Sequence, residues 1–533
     1  MLDSREIRAP GRAPVLLVLA IAAALCGPAA RAADVSPMDV RPDSALVEAL
    51  RRMEGSQIHL EEAVTAALTQ ATDVRDAEGA MKAARGAMRR ERGAFDPELF
   101  ADLSRSSSSQ PKTSIFDTGL NRQDVVSTGV GMRLPVGTEL KASLLTTRYE
   151  TDALLTLINP EYSTIGKLEI TQPLLKGFGP SAWKDLAGAR RDYEAARARY
   201  DDAVLATRTQ VERTYWDLSA ATRDYGVSQV VRDGAAGLVR EAQTRARAGL
   251  VGPGQVANAR VFLAEQEQAV LDREEDLDRV SDQLATLMGR RPERGHVRYL
   301  ATDEPPEDFT VDPLDSLLAR AGARNPGLKA AERDVAAAQA RARGAKWDML
   351  PTLDVFGSIG GNGLAGTGRT VTFAGDTLSA DPRLEGDFGD TWRQVRNRDY
   401  PVWSAGVRLS VPIGFRAGAG EHERLRGELE RAEQRYIAAR RDLEDQVRAA
   451  FREFSNAQKR VQAARDGADA SLEQVRIGVL EFRAGRTTAF ELIRLAGDLA
   501  TAQQRYSEAL VRAAKSAADL RRFTEEGGGA GQR

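Results

Sequence analysis

The sequence contains two heptad-patterned segments that are each long enough to form a rod. Apolar side chains recur every seven positions over residues 184–247, and again over residues 421–484. An α-helix rises 1.5 Å per residue, so each segment would span roughly 96 Å as one helix. No compact domain needs helices of that length. The two segments therefore predict an elongated, largely helical molecule.

The two rods belong to an internal duplication. An offset of 236 residues superposes Arg247-Ala248-Gly249 on Arg483-Ala484-Gly485, and the same offset places Tyr215 on Phe451. A single offset that satisfies several separated matches indicates a repeated structural unit. We therefore expect the two halves of the chain to share one architecture.

Each rod is expected to turn back on itself as a helical hairpin. Gly and Pro within residues 247–253 stop the first rod, and a second helix is predicted from Gln255 to Met288. The second rod is followed in the same way by a helix over residues 488–523. Each half also begins with a shorter predicted helix, over about residues 56–93 and 314–347.

Between the shorter helix and the rod of each half, the hydrophobic period changes to two. Residues 126–134 and 140–144, and later 353–356 and 403–411, alternate apolar side chains with small or polar ones. Strands of this kind suit a channel wall with one face in lipid. A pair from each half would give four strands per chain, but the first half carries an extra predicted hairpin, so several strand assignments are possible. Residues 360–399 are predicted to form a long exposed loop.

The N-terminus has the features of a cleavable signal peptide over residues 1–32. Three arginines precede an apolar run from Val15 to Cys26, and Ala30-Arg31-Ala32 supplies a cleavage pattern. The only cysteine lies in this segment, which excludes disulfides and thiolate sites from the exported protein. No later apolar run could form a membrane-spanning helix, so a membrane crossing would require a closed β-barrel.

The predicted organisation has five parts. They are a signal peptide (1–32), an extended segment (33–55), a first helix–strand–helix repeat (56–307), a second repeat (308–523) and a flexible tail (524–533). The chain has 75 Lys and Arg against 77 Asp and Glu, a balance that gives no basis for nucleic-acid binding.

No catalytic, cofactor-binding or metal-binding residues are predicted. The three histidines are far apart and lack partners at metal-ligand spacing. Ser181-Ala182-Trp183-Lys184 matches the S-x-x-K pattern of a nucleophilic serine, but its usual companion motifs are missing. We therefore interpret Ser181 as the cap of the first rod.

The signal peptide, the two helix–strand–strand–helix repeats, the rods and their glycine turns together resemble the TolC-type outer membrane efflux protein family. The resemblance covers about residues 56–523. It implies a mixed α and β membrane protein, in which a homotrimer forms a 12-stranded outer-membrane β-barrel that continues as a long periplasmic α-helical barrel. Four strands would come from each chain.

The resemblance also implies a function. Such a protein is the outer-membrane exit duct of a tripartite efflux or type I secretion system. It is no enzyme and has no cofactor. Its partners are a periplasmic adaptor protein, an inner-membrane pump and outer-membrane lipid. Drugs, metals, peptides and proteins all remain possible substrates.

The resemblance places a periplasmic gate near the second helix turn. The two acidic gate positions of the family fall on Glu491 and Arg494, and its tyrosine–arginine link falls on Phe482 and Thr487. That link cannot form here. Three copies of Glu491 would favour cations by charge focusing, although a solvated helix surface explains the same residue.

The two helix turns resemble the sites where periplasmic adaptors dock. Gly249 and Leu250 form the first turn, and Gly485 is the centre of the second. Helix capping explains both glycines equally well.

Two alternatives remain from the sequence. A periplasmic coiled-coil adaptor should carry a single hairpin, whereas this chain has two. A structural coiled-coil protein would explain the heptads, but it would not explain the alternating strands.

Overall fold

The computed structural model describes residues 42–525, except for residues 115, 291–297, 307–311, 374 and 485. The predicted signal peptide lies outside the described residues, as does the tail beyond residue 525. The helices are α1 (Pro42–Arg52), α2 (Leu60–Gln70), α3 (Thr72–Gly93), α4 (Pro180–Arg247), α5 (Pro253–Leu287), α6 (Leu314–Arg324), α7 (Pro326–Asp348), α8 (Phe388–Asn397), α9 (Arg416–Arg483) and α10 (Ala489–Thr524). The strands are β1 (Ser56–Ile58), β2 (Glu98–Ser109), β3 (Leu120–Arg133), β4 (Glu139–Thr151), β5 (Ile158–Pro173), β6 (Tyr299–Ala301), β7 (Thr352–Gly368), β8 (Thr370–Phe373), β9 (Asp376–Ser379) and β10 (Tyr400–Ser410).

The two rods are α4 and α9, and both have 68 residues. Each end of α9 lies 236 residues after the corresponding end of α4, which confirms the duplication. At 1.5 Å per residue each rod is about 100 Å long. The heptad positions are the packed ones, because Val211 and Leu218 in α4 and their counterparts Val447 and Phe454 in α9 are all buried.

The returning helices α5 and α10 pack along α4 and α9, so both predicted hairpins are confirmed. No helix among the described residues is long and apolar enough to cross a membrane.

The shorter helices are each broken, which corrects the prediction of two continuous segments. The first segment consists of β1, α2 and α3, and the second consists of α6 and α7. In the second, Pro326 starts a new helix while the Asn325 side chain caps it by accepting a hydrogen bond from the Leu328 N–H at 2.9 Å. The segment predicted as extended at residues 33–55 also contains a helix, α1.

A hydrophobic core surrounds Tyr215 of α4 and includes Leu277 and Leu284 of α5. The Tyr215 hydroxyl donates to the Ile58 carbonyl at 3.0 Å and lies 2.8 Å from an Asp303 carboxylate oxygen. Burial raises the pKa of Tyr215 to about 12, so the hydroxyl keeps its proton and remains a donor. These bonds hold the two-stranded parallel sheet of β1 and β6 against the rod.

Ion pairs join the two repeats across α4 and α10. The buried Glu212 carboxylate accepts from Arg208 on its own helix at 3.0 Å and from Arg521 on α10 at 2.6 Å. Lys515 of α10 pairs with Asp217 of α4 nearby. The second repeat is thus fixed along the first rod.

The six long strands form one antiparallel sheet in the order β10-β7-β5-β4-β3-β2. The sheet thus holds two strands more than the four expected from each chain: four come from the first repeat and two from the second. The predicted loop at 360–399 is also corrected. Strand β7 continues to Gly368, a β8–β9 hairpin and a 3-10 turn (Pro382–Leu384) follow, and α8 precedes β10.

Replacing Tyr215 by Phe should lower the melting temperature of the detergent-solubilised protein. The exchange removes a hydroxyl that donates to the Ile58 carbonyl and accepts from the Thr302 and Asp303 N–H groups, at a cost of about 1–3 kcal/mol. Tyr225→Phe is the matched control, because Tyr225 lies on the same helix and in the same core but its hydroxyl takes no part in these hydrogen bonds. Equal melting temperatures for both variants would contradict the role assigned to the Tyr215 hydroxyl.

Candidate channel wall and helix tips

The large sheet has one apolar face. Directly opposed residues form a row across all six strands: Leu99, Val130, Ala142, Leu168, Ile359 and Trp403. The two ends of this row, Leu99 and Trp403, are each 76% exposed. Exposed apolar side chains in such numbers need a nonpolar environment.

The opposite face of the sheet is polar. The neighbouring row, one residue along each strand, consists of Glu98, Gly131, Lys141, Glu169, Ser358 and Ser404. Because successive side chains point to opposite faces, this row lies on the far side of the sheet from the apolar one. The pair of faces fits a wall between lipid and an aqueous lumen.

Helix α8 packs on the apolar face. The Thr391 hydroxyl lies 2.7 Å from the hydroxyl of Thr164, which shares a face with Leu168, and both threonines are fully buried. Gly363 allows this contact, since a Cβ there would lie 2.2 Å from the Thr391 carbonyl oxygen. The Gln394 side chain accepts from the Leu364 N–H at 2.8 Å.

Two aromatic rings of α8 remain exposed. Phe388 and Trp392 are one helical turn apart and meet edge to face, with 6.2 Å between ring centroids. Aromatic rings of this kind suit the headgroup region of a bilayer. The sequence analysis missed this helix, although the Asp387 and Asp390 capping box at its start was a readable signal.

A polar cluster joins the first rod to α7 just below the sheet. The Ser181 hydroxyl donates to one oxygen of Asp348, and the Lys184 ammonium pairs with the other. The prediction that Ser181 caps the rod is wrong, because Pro180 already occupies the first helical turn and Gly179 the cap. Gly344 lets the helices approach, since a Cβ there would lie 2.4 Å from the Cβ of Lys184.

The first rod ends in a tight glycine turn at its tip. Gly249 has a φ of +71°, and its N–H donates to the Ala246 carbonyl at 3.0 Å. The Leu250 N–H donates to the Arg245 carbonyl at 2.9 Å, while the Leu250 side chain is 74% exposed. The turn therefore fixes the backbone and leaves an apolar side chain in solvent.

The second tip is only partly described. Phe482 lies in the last turn of α9, but its side chain is outside the described residues, as is all of Gly485. Thr487 lies in the bend that follows. Thr488 caps α10, because its hydroxyl accepts from the Glu491 N–H at 3.3 Å.

The two charged gate candidates are paired with each other. Arg494 donates to both carboxylate oxygens of Glu491, at 2.6 and 3.2 Å, and to Asp498 at 3.1 Å. Hydrogen bonds from Arg494 lower the pKa of Glu491 and keep the carboxylate ionised. This cluster thus holds three charges, with one acidic group in excess.

The comparisons with known proteins agree with this geometry. The family model described as "Outer membrane efflux protein" matches residues 63–290 and 317–524. No curated protein matches the chain by sequence.

Solved structures share the fold at low identity. The outer-membrane channel OprN has 18% identity and a TM-score of 0.60, covering 94% of this chain and 98% of that one. The open-state MtrE outer membrane channel of Neisseria gonorrhoeae has 17% identity and a TM-score of 0.60, with coverages of 88% and 89%. The outer membrane protein VceC of Vibrio cholerae has 14% identity and a TM-score of 0.59, with coverages of 88% and 97%.

Replacing Gly363 by Ala should displace α8 from the sheet. The added Cβ collides with the Thr391 backbone, and relieving such an overlap costs about 1–3 kcal/mol. Hydrogen exchange of residues 388–397 should become faster. Gly357→Ala is the control on the same strand, because its Cβ would have only an ordinary contact at 3.7 Å. Unchanged exchange in Gly363→Ala would contradict the packing described.

Replacing Arg494 by Gln should make the tip more cation-selective. The change removes the cation that neutralises Glu491, so the pKa of Glu491 rises towards its usual value and the carboxylate is left uncompensated at neutral pH. Reversal potentials in a salt gradient across planar bilayers would measure the shift. Arg424→Gln, which breaks the same kind of pair with Glu421 at the other end of α9, should leave selectivity unchanged. If both variants behave alike, Glu491 does not face the pore.

Proposed function

Because the chain belongs to the outer membrane efflux protein family, we propose that it is a homotrimeric exit duct that passes substrates from an inner-membrane pump to the cell exterior. The protein lies in the outer membrane and its rods extend into the periplasm. The pump and a periplasmic adaptor protein would complete a tripartite efflux or type I secretion system.

The observation that supports this proposal most directly is that the sheet has one apolar face and one polar face. The row of Leu168 and its neighbours is apolar and exposed, whereas the row of Glu169 and its neighbours is charged or small. A sheet of this kind can be buried in lipid on one side and can line water on the other.

Assembly follows from the edges of the sheet. Six strands in a single layer leave an edge at β2 and another at β10. Open edges are not stable in lipid, so the sheet must close with further copies of itself. Three copies are what the resemblance to TolC-type proteins implies.

The rods supply the route through the periplasm. Their length of about 100 Å is roughly three times the thickness of a bilayer's hydrocarbon core. Both rods begin directly after a strand of the sheet, so both tips point away from the membrane. This placement is the basis for two further proposals. An adaptor docks at Gly249, Leu250 and Gly485. A gate is formed by Phe482, Thr487, Glu491 and Arg494.

An export assay tests the role of the first tip. In a strain that lacks the wild-type gene, the Leu250→Asp variant should fail to export the substrates that the wild-type protein exports. The exchange places a charge at the position where an exposed apolar side chain would contact the adaptor. Leu271→Asp is the control, because Leu271 is similarly exposed on α5 but lies away from the tip.

Both variants should remain trimers by native mass spectrometry. Export by Leu250→Asp at the wild-type level would contradict adaptor docking at this tip. Loss of the trimer in Leu250→Asp alone would assign Leu250 to folding instead.

A further inference from the structure

The β3–β4 hairpin is an addition to the duplicated unit. In each half one strand follows the shorter helix and another precedes the rod: β2 and β5 in the first half, β7 and β10 in the second. In the second half these two strands pair directly with each other. In the first half β3 and β4 stand between them. The repeat therefore accounts for four strands, and the hairpin adds two.

The added hairpin is fully integrated into the sheet. Strand β2 pairs with β3 along the whole length of β2, from Glu98 to Ser109. Strand β4 pairs with β5 from Glu139 to Tyr149. Val130 and Ala142 continue the apolar row, and Lys141 continues the polar row on the other face. The hairpin therefore has one apolar face and one polar face, as the rest of the sheet does.

The turn of the hairpin is seated on the connection between β5 and α4. Gly137 has a φ of +93°, and a Cβ there would lie 2.1 Å from the Gly177 carbonyl oxygen. The Thr138 hydroxyl donates to the Gln172 side chain at 2.5 Å. The Gly179 N–H donates to the Val136 carbonyl at 3.3 Å. These contacts fix the hairpin at the level where the sheet meets the rods.

The two edges of the sheet are suited to each other. Strand β2 has 12 residues and β10 has 11, and about 9–11 residues suffice for a strand to cross a bilayer. All neighbours in the sheet are antiparallel and the number of strands is even, so β2 and β10 run in opposite directions. The β10 edge of one copy can therefore pair antiparallel with the β2 edge of the next. The apolar rows then continue on a single face.

Resting on the trimeric duct proposed above, we infer that three copies of this six-stranded sheet close an 18-stranded barrel, rather than a barrel of 12 strands. Each open edge of the sheet pairs with the edge strand of a second copy of this chain. A wall without the hairpin would require the pairings of β3 with β2 and of β4 with β5 to break, and it would leave backbone groups unpaired in lipid.

The larger strand number widens the outlet. Barrel diameter grows roughly in proportion to strand number, so 18 strands give a diameter about half as large again as 12, and barrels of 16–18 strands hold an aqueous channel. The hairpin adds no helix to either repeat. An outlet of that diameter would pass bulkier hydrated substrates than a 12-stranded outlet.

Cryo-electron microscopy of the full-length mature protein in lipid nanodiscs tests the strand number. The expected particle is threefold, with 18 strands in the barrel wall. A threefold particle with 12 strands and the hairpins outside the wall would overturn the inference while leaving the exit duct intact. A particle without threefold symmetry would overturn the trimeric duct and the inference with it.

Spin labels on single cysteines give an independent test in the membrane. The only cysteine of the chain, Cys26, lies in the predicted signal peptide, so the exported protein carries no thiol other than the introduced one. A label at Ala142→Cys should be accessible to oxygen dissolved in lipid, and a label at Lys141→Cys should be accessible to a water-soluble nickel complex. Leu168→Cys and Glu169→Cys are matched controls on β5, which belongs to the wall with either strand number. Equal nickel accessibility at Ala142 and Lys141, with the controls distinct, would overturn the inference.

Discussion

The backbone hydrogen bonds at the edges of the large sheet constrain the rest of the molecule. A strand in lipid cannot leave its N–H and C=O groups unpaired, so a sheet that ends at β2 and β10 cannot stand alone there. This requirement gives the chain its dependence on further copies. Contact with lipid on one face explains why the apolar row runs without interruption through every strand.

The rods are coupled to that sheet through a compact junction. Asp348 receives both the Ser181 hydroxyl and the Lys184 ammonium, and thereby ties the start of α4 to the end of α7. Further along the rod, Tyr215 and Glu212 connect α4 to the small parallel sheet and to α10. The rod is thus fixed to its neighbours at several levels along its length. The first tip in turn exposes Leu250, while the turn at Gly249 fixes the backbone beside it.

The sequence predicted the features that depend on a regular period. Heptads gave both rods within a few residues, because the apolar positions such as Val211 and Val447 are the packed ones. Strand β2 was missed, since its second half is mostly serine and shows no alternation. The end of β7 was interpreted as a loop because glycines such as Gly363 have no side chain to alternate. Their small size matters instead for the packing of α8, which only the fold reveals. The gate and docking residues stay predictions, because their function depends on copies and partners that one sequence does not contain.

Several copies of this chain must come together to enclose one duct. Negative-stain imaging, with mass determination, of the protein extracted from outer membranes in mild detergent would show whether they do. We expect a particle of three chains with a tapered rod on the order of 100 Å long, as helices of 68 residues require. A soluble monomer or an open fibre would contradict it.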